Sequence, residues 1–164
     1  MNTKSRTLLL ALATTFALLI PTGASAAAAD AASGTLTYTS STFTSVRFAG
    51  GNTILELTAA VEYTGTFSGT SVLHGTLTFH PNGRANFHDI ETFTGTVNGA
   101  SGTVTFTLNG SSDPELNVKA IATVVDATGE LAGLRGMLAE TAVVLDKAVG
   151  PVGTYAGRIT VAGG

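Results

Sequence analysis

Residues 89–108 read DIETFTGTVNGASGTVTFTL. On both sides of the central Asn98-Gly99, apolar side chains alternate with threonines, and alternation with period two is typical of strands with one buried and one solvated face. Asn-Gly is a strong short-range signal for a two-residue type I′ turn. The stretch therefore predicts an antiparallel hairpin in which Glu91 lies opposite Phe106.

The turns also predict the register of two consecutive hairpins, because a slip of one residue would exchange the two faces of a strand. The Asn98-Gly99 turn pairs, on the apolar face, Val97 with Ala100, Gly95 with Gly102, Phe93 with Val104 and Asp89 with Leu108. The other face then carries a threonine ladder that pairs Thr92 with Thr105 and Thr94 with Thr103. A three-residue loop at Pro81-Asn82-Gly83 pairs Phe79 with Ala85, Leu77 with Phe87, Gly75 with Asp89 and Leu73 with Glu91.

Threonine-rich alternating runs recur at residues 35–39 and 76–79, and turn signals rich in Gly, Asn and Pro separate such runs. Residues 132–145 come nearest to helical spacing, but Gly133 and Gly136 disfavour a helix there. Many short strands joined by regular turns are typical of an all-β sandwich or barrel. We therefore expect one all-β domain with one of these two architectures.

Residues 1–26 have the features of a secretory signal peptide. Lys4 and Arg6 precede an apolar run over residues 8–20, and Ala24-Ser25-Ala26 is a small-residue cleavage pattern. The run is shorter than the ~20 residues of a membrane-spanning helix, so an uncut membrane anchor is the weaker alternative. We expect a cleaved signal at residues 1–26, a single domain at residues 27–164 and a secreted protein, which would be periplasmic in a host with an outer membrane.

Composition argues against several classes of function. The chain has a formal net charge of −3 and scattered basic residues, whereas nucleic-acid binding needs a basic surface. Because the chain contains no cysteine, it has no disulfides, thiol nucleophiles or cysteine-based metal sites. In the predicted register His74, His80 and His88 lie on the threonine face without a facing carboxylate, so we expect solvated histidines, no metal site and no cofactor.

Two carboxylates fall on the predicted apolar face, which Asp89 and Glu91 share with Phe87 and Phe93. A carboxylate that loses its hydration must find partners, reach an open cavity or take up a proton. Asp89 and Glu91 are therefore candidates for binding or acid–base catalysis. The alternative is a position near the mouth of a barrel, where both would be solvated or bonded to backbone amides.

Three segments, in this order and spacing, together resemble the DUF3224 family, an uncharacterised bacterial family whose relatives form the allene-oxide-cyclase-like β-barrel. They are residues 63–70 (YTGTFSGT), 89–102 (DIETFTGTVNGASG) and 124–136 (VVDATGELAGLRG). The last contains the glycine-rich octapeptide Gly129 to Gly136. We expect this octapeptide to shape a connection between strands rather than to bind phosphate, because it has no Gly-Lys-Ser/Thr and opens no helix.

The resemblance implies a single antiparallel barrel of roughly eight strands with a central cavity, similar to allene oxide cyclases and plant dirigent proteins. Those relatives steer the cyclisation or coupling of apolar intermediates, largely by shape. Glu91 matches a recurrent glutamate of the family. Thr66, Thr92 and Leu108 stand where the family commonly has Asp, Arg and His, so this chain keeps only the glutamate of any acid–base pair.

Three functions remain open. The first is a non-catalytic barrel that binds a small hydrophobic ligand in its interior. We expect that cavity to be lined by Leu73, Leu77, Phe79, Phe87, Phe93 and Phe106, with Tyr38, Arg47 and Tyr63 as further candidates. The second is a cyclase- or isomerase-like enzyme in which Glu91, with Asp89 as a weaker candidate, handles a proton or a developing cation. The third is an extracellular structural or adhesive domain that works through its threonine-rich face. Relatives of this barrel often form dimers or trimers, so a homo-oligomer is a further expectation.

Overall fold

The computed structural model describes residues 28–161, in which eight antiparallel strands form a closed barrel. The strands are β1 (Asp30–Ala49), β2 (Asn52–Gly65), β3 (Phe67–Phe79), β4 (Ala85–Val97), β5 (Ala100–Ser112), β6 (Asn117–Gly129), β7 (Leu134–Asp146) and β8 (Gly150–Val161). Each strand pairs with its neighbours in sequence, and β8 pairs with β1 to close the sheet. The predicted eight-stranded barrel is confirmed, and closure excludes the sandwich.

The predicted signal peptide lies outside the described residues. Across residues 28–161 the chain forms no helix with the length and apolar character needed to cross a membrane.

Both predicted hairpin registers are confirmed. Glu91 pairs with Leu73 across β3 and β4 and with Phe106 across β4 and β5, and the other predicted pairs follow in step. Asn98 and Gly99 have φ angles of +51° and +89°, as a type I′ turn requires. Because both registers hold, Asp89 and Glu91 point into the barrel.

The turns of the barrel leave it at two ends. Those after β2, β4 and β6, at residues 66, 98–99 and 130–133, lie at what we call the filled end. Those after β1, β3, β5 and β7, at residues 50–51, 80–84, 113–116 and 147–149, lie at what we call the open end. The two halves of the barrel interior differ in how completely side chains fill them.

Aromatic rings pack the half of the barrel next to the filled end. Phe67 lies between Phe93, Phe106 and Tyr155, with ring centroids 5.4–5.8 Å apart. The Tyr155 hydroxyl accepts a hydrogen bond from the Phe67 amide at 2.9 Å, so the ring also ties β8 to the start of β3. Its hydroxyl lies over Gly34, where a Cβ would collide with it. These contacts leave no room for a ligand around Phe67.

The octapeptide Gly129 to Gly136 closes this end. It forms the connection from β6 to β7, as predicted, and Gly129 and Gly133 have φ angles of +70° and +85°, which favour glycine. Leu131 in this turn is fully buried and belongs to the core. The octapeptide therefore acts as a plug as well as a connection.

Candidate functional site: a cavity with a carboxyl floor

The open half of the barrel contains a cavity of about 290 Å³. Its wall is mainly apolar, and its upper part is formed by the turns and strand ends of the open end, including Leu116, Lys147 and Pro151. The main wall residues from the strands are Tyr38, Phe43, Leu55, Leu57, Leu77, Phe79, Phe87, Val118 and Val144. Its polar lining includes Ser41, Asp89 and Ser112.

The six residues predicted to line a cavity divide between the two halves. Leu77, Phe79 and Phe87 line the open cavity. Leu73, Phe93 and Phe106 are instead fully buried in the core of the filled half and do not contribute to its wall. The alternation of apolar and polar residues predicts which face of a strand points inward. It does not predict how far along the barrel an inward-facing residue lies.

The further candidates also occupy different places. Tyr38 lines the cavity, whereas Tyr63 is buried beneath it against Phe93 and Tyr155. Arg47 lies exposed near the end of β1 and is not among the lining residues.

Glu91 lies below the cavity and is 1% exposed. The Ser71 hydroxyl donates a short hydrogen bond to its Oε1, and the Tyr63 hydroxyl lies 3.2 Å from its Oε2. Burial raises the pKa of Glu91, while the hydrogen bonds from Ser71 and Tyr63 oppose that rise. Glu91 is therefore held by hydrogen bonds from side-chain hydroxyls, and it does not line the cavity.

A second glutamate, Glu140 on β7, joins Glu91 through Tyr63. The Tyr63 hydroxyl lies 3.4 Å from Glu140 Oε1, and Glu140 is 8% exposed. Burial, followed by the charge of Glu91, raises the pKa of Glu140 to about 8. The Tyr63 hydroxyl carries one proton, so it can donate to only one of the two carboxylates. If the other glutamate is protonated, it can donate to the Tyr63 oxygen, and both hydrogen bonds then form.

Glu140 is a site residue that the sequence did not predict, because Met137, Leu138 and Ala139 are all apolar and obscure the period of two along β7. Leu138, Glu140 and Ala142 alternate with exposed residues, and this alternation places Glu140 on the inner face of β7. Ser71 could have been predicted from sequence, because it lies two residues from Leu73 on the inner face of β3 that the hairpin register defines.

Asp89 is the carboxylate that reaches the cavity wall. It is 3% exposed, and its Oδ1 is buried without a hydrogen-bond partner. The carboxylate lies against Gly75 of β3, where a Cβ would collide with Oδ1. Burial, followed by the charge of Glu91, raises the pKa of Asp89 to about 7, and the charge of His88 opposes the rise. Asp89 can therefore gain or lose a proton near neutral pH.

The base of the cavity, which we call the acidic floor, is formed by Tyr38, Asp89, Glu91 and Glu140. Burial raises the pKa of Tyr38 well above its usual value, and the charges of Glu91, Glu140 and Asp89 add to the rise. Four titratable groups on β1, β4 and β7 thus disfavour further negative charge at the base of the cavity. Chemically, such a floor can hold protons, donate hydrogen bonds or attract a cation.

His74 and His88 lie on the outer faces of β3 and β4, His80 lies in the turn between these strands, and each is within hydrogen-bond distance of a polar neighbour. His74 Nδ1 is 3.0 Å from the Thr58 hydroxyl, His80 Nδ1 is 3.1 Å from Asn52 Oδ1, and His88 Nδ1 is 2.8 Å from Asn109 Oδ1. Over the part of the chain that the structure describes, no three His, Asp or Glu side chains are grouped so that they could hold a metal ion.

Comparisons with known proteins agree with this fold. A family model for DUF3224, described as a protein of unknown function, matches residues 32–144. The chain is also similar to a crystallised protein of unknown function from the DUF3224 family, from Shewanella oneidensis MR-1. That similarity has a TM-score of 0.66 at 18% identity and covers 83% of this chain and 100% of that one. No curated protein matches the chain. At this identity the structural likeness concerns the fold alone.

Proposed function

The chain belongs to the DUF3224 family, as the resemblance predicted, and we propose that it binds a small, largely hydrophobic molecule in the open half of its barrel. The observation that carries the proposal is the cavity of about 290 Å³ whose wall is mainly apolar. This volume lies just below the roughly 300–1,000 Å³ typical of ligand pockets, which suits a small molecule. Burial of an apolar molecule against such a wall is favourable by about 25 cal/mol for each Å² removed from water.

The unequal filling of the barrel supports the proposal. The rings near Phe67 already contact one another, so the filled half is packed without a ligand. The open half leaves Phe79 and Phe87 only partly buried, although both face inward. A bound molecule would cover these rings.

The proposal is tested with prodan, a neutral naphthalene dye whose emission shifts to the blue in an apolar site. We expect saturable binding to the wild-type chain and a loss of binding in Leu77→Trp, because the larger side chain fills the cavity. Thr76→Trp is the matched control, since Thr76 lies on the outer face of the same strand. If prodan does not bind the wild type, or if both variants bind it equally, the cavity is not a binding site.

One observation favours a second candidate, an isomerase-like enzyme. Asp89 borders the cavity and has a pKa of about 7, near the value that suits a general acid or base at neutral pH. Glu91, the stronger candidate from sequence, lies behind the cavity wall. The test is deuterium incorporation from D₂O into an enolisable ketone such as 2-tetralone. An enzyme of this type would accelerate the exchange in the wild type and lose the acceleration in Asp89→Asn, and exchange at the rate of buffer alone would exclude it for this ketone.

A further inference from the structure

We propose that the molecule in the cavity is a lipophilic amine whose ammonium group binds the carboxylate of Asp89. This inference rests on the proposed binding function and adds the chemical class of the ligand. It starts from one atom, Asp89 Oδ1, which is buried without a hydrogen-bond partner at the wall of the cavity.

A buried carboxylate oxygen without a donor is costly, because it loses its hydration and gains no hydrogen bond in return. An ammonium group carries three N–H donors and no acceptor. It can therefore satisfy the Asp89 carboxylate while its apolar part covers Leu77 and Phe87, which line the same cavity.

The surrounding charges favour a cation over a neutral polar group. Glu91 lies two residues from Asp89 on β4, and Glu140 faces the same interior from β7. The charge of Glu91 raises the pKa of Asp89, and the charges of Glu91 and Asp89 raise that of Glu140. A ligand hydroxyl could donate a hydrogen bond to one carboxylate oxygen, whereas an ammonium group would also offset the mutual repulsion of the acids.

Neither of the two basic side chains near Asp89, Lys147 and His88, supplies a cation to its carboxylate. Lys147 is the basic residue of the lining, and it is exposed in the turn between β7 and β8, at the mouth of the cavity. His88 is adjacent on β4, but it points outward to Asn109. Lys147 suggests an alternative ligand of opposite charge, a fatty acid whose carboxylate binds Lys147 at the mouth of the cavity. That orientation would leave Asp89 Oδ1 against an alkyl chain, which cannot donate a hydrogen bond.

The experiment is a competition with bound prodan at about pH 8, in which n-octylamine, n-octanol and octanoate displace the dye. These probes share one chain and differ in the charge of the head group. We expect n-octylamine to bind about ten- to a hundredfold more tightly than n-octanol, as expected for a hydrogen bond between charged groups, and octanoate to bind more weakly than either.

Asp89→Asn should bring the affinity for n-octylamine down to that for n-octanol, while Glu62→Gln, which removes an exposed carboxylate from β2, should leave the preference unchanged. The comparison of probes on the wild type needs no variant, so it decides the question even if Asp89→Asn does not fold. Equal binding of the amine and the alcohol would overturn the inference while the binding function stands. Tighter binding of octanoate would overturn it in favour of a carboxylate at Lys147. Failure of prodan itself would overturn the binding function.

Discussion

Strand β4 passes through both halves of the barrel and shows how differently they are built. Near the filled end, Phe93 is fully buried and its ring packs edge-on against Phe67 and Tyr63. Near the open end of the same face, Phe87 is half-buried and lines the cavity. Between them, Asp89 and Glu91 point inward. One strand face thus carries the core, the acidic floor and the cavity wall in succession.

The difference indicates that packing in the filled half supplies most of the stability, which leaves the open half available for the binding that we propose. Interlocked aromatic rings and the Leu131 plug need no ligand. Asp89, Glu91 and Glu140 lie between the halves, and their burial costs hydration. They therefore do not stabilise the fold as the packed rings do. Changes in the filled half should therefore affect mainly the free energy of unfolding, and changes in the open half mainly binding.

The largest effect is expected for Phe93→Ala. Removal of a fully buried ring from the filled half should lower the free energy of unfolding by about 3–5 kcal/mol. Urea denaturation followed by tyrosine fluorescence measures it. A loss below about 1 kcal/mol would show that the filled half is not a close-packed core.

The next effect is a dependence of stability on pH. The folded protein raises the pKa of Asp89 from 3.8 to about 7, so it binds more protons than the unfolded chain between these values. The free energy of unfolding should therefore fall as pH rises through this window, by about 2–3 kcal/mol between pH 5 and pH 8 from Asp89 alone. Urea midpoints across this range test the effect. Asp89→Asn should flatten the slope by that amount, and an unchanged slope would contradict the burial of Asp89 as a proton-binding group.

A smaller effect is expected for Gly75→Ala, a change on β3 directly opposite Asp89. The new Cβ would collide with the Asp89 carboxylate, and we expect a loss of about 1–3 kcal/mol in stability. In an Asp89→Gly background Gly75→Ala should cost much less, because all three atoms that the new Cβ would meet belong to the Asp89 side chain. Equal losses in the presence and absence of the Asp89 side chain would show that the cost arises elsewhere.

The smallest effect on stability is expected for Phe87→Ala, the counterpart of Phe93→Ala on the same face. Because its ring is only half-buried, its removal should cost about 1 kcal/mol, below the 1.5–3 kcal/mol for fully burying such a side chain. The same change should weaken prodan binding. A loss as large as that of Phe93→Ala would remove the distinction between the two halves.

The sequence was most informative where local rules set the geometry. The Asn98-Gly99 turn and the loop at residues 81–83 determined two registers, and these placed Asp89 and Glu91 inside the barrel. It was least informative about partners from distant strands. Glu140 reaches Tyr63 and Glu91 only because closure of the barrel brings β7 across the interior from β2 and β4.

By itself, the sequence therefore determined which residues face inward along β3, β4 and β5, because a period of two and a tight turn act over a few residues. Only the tertiary structure decided that Phe93 packs in a solid core while Phe87 lines a cavity. It also decided that Asp89, rather than Glu91, borders that cavity. The physical reason is that alternation specifies a face, whereas depth within a closed barrel depends on how side chains from all eight strands fill the shared interior.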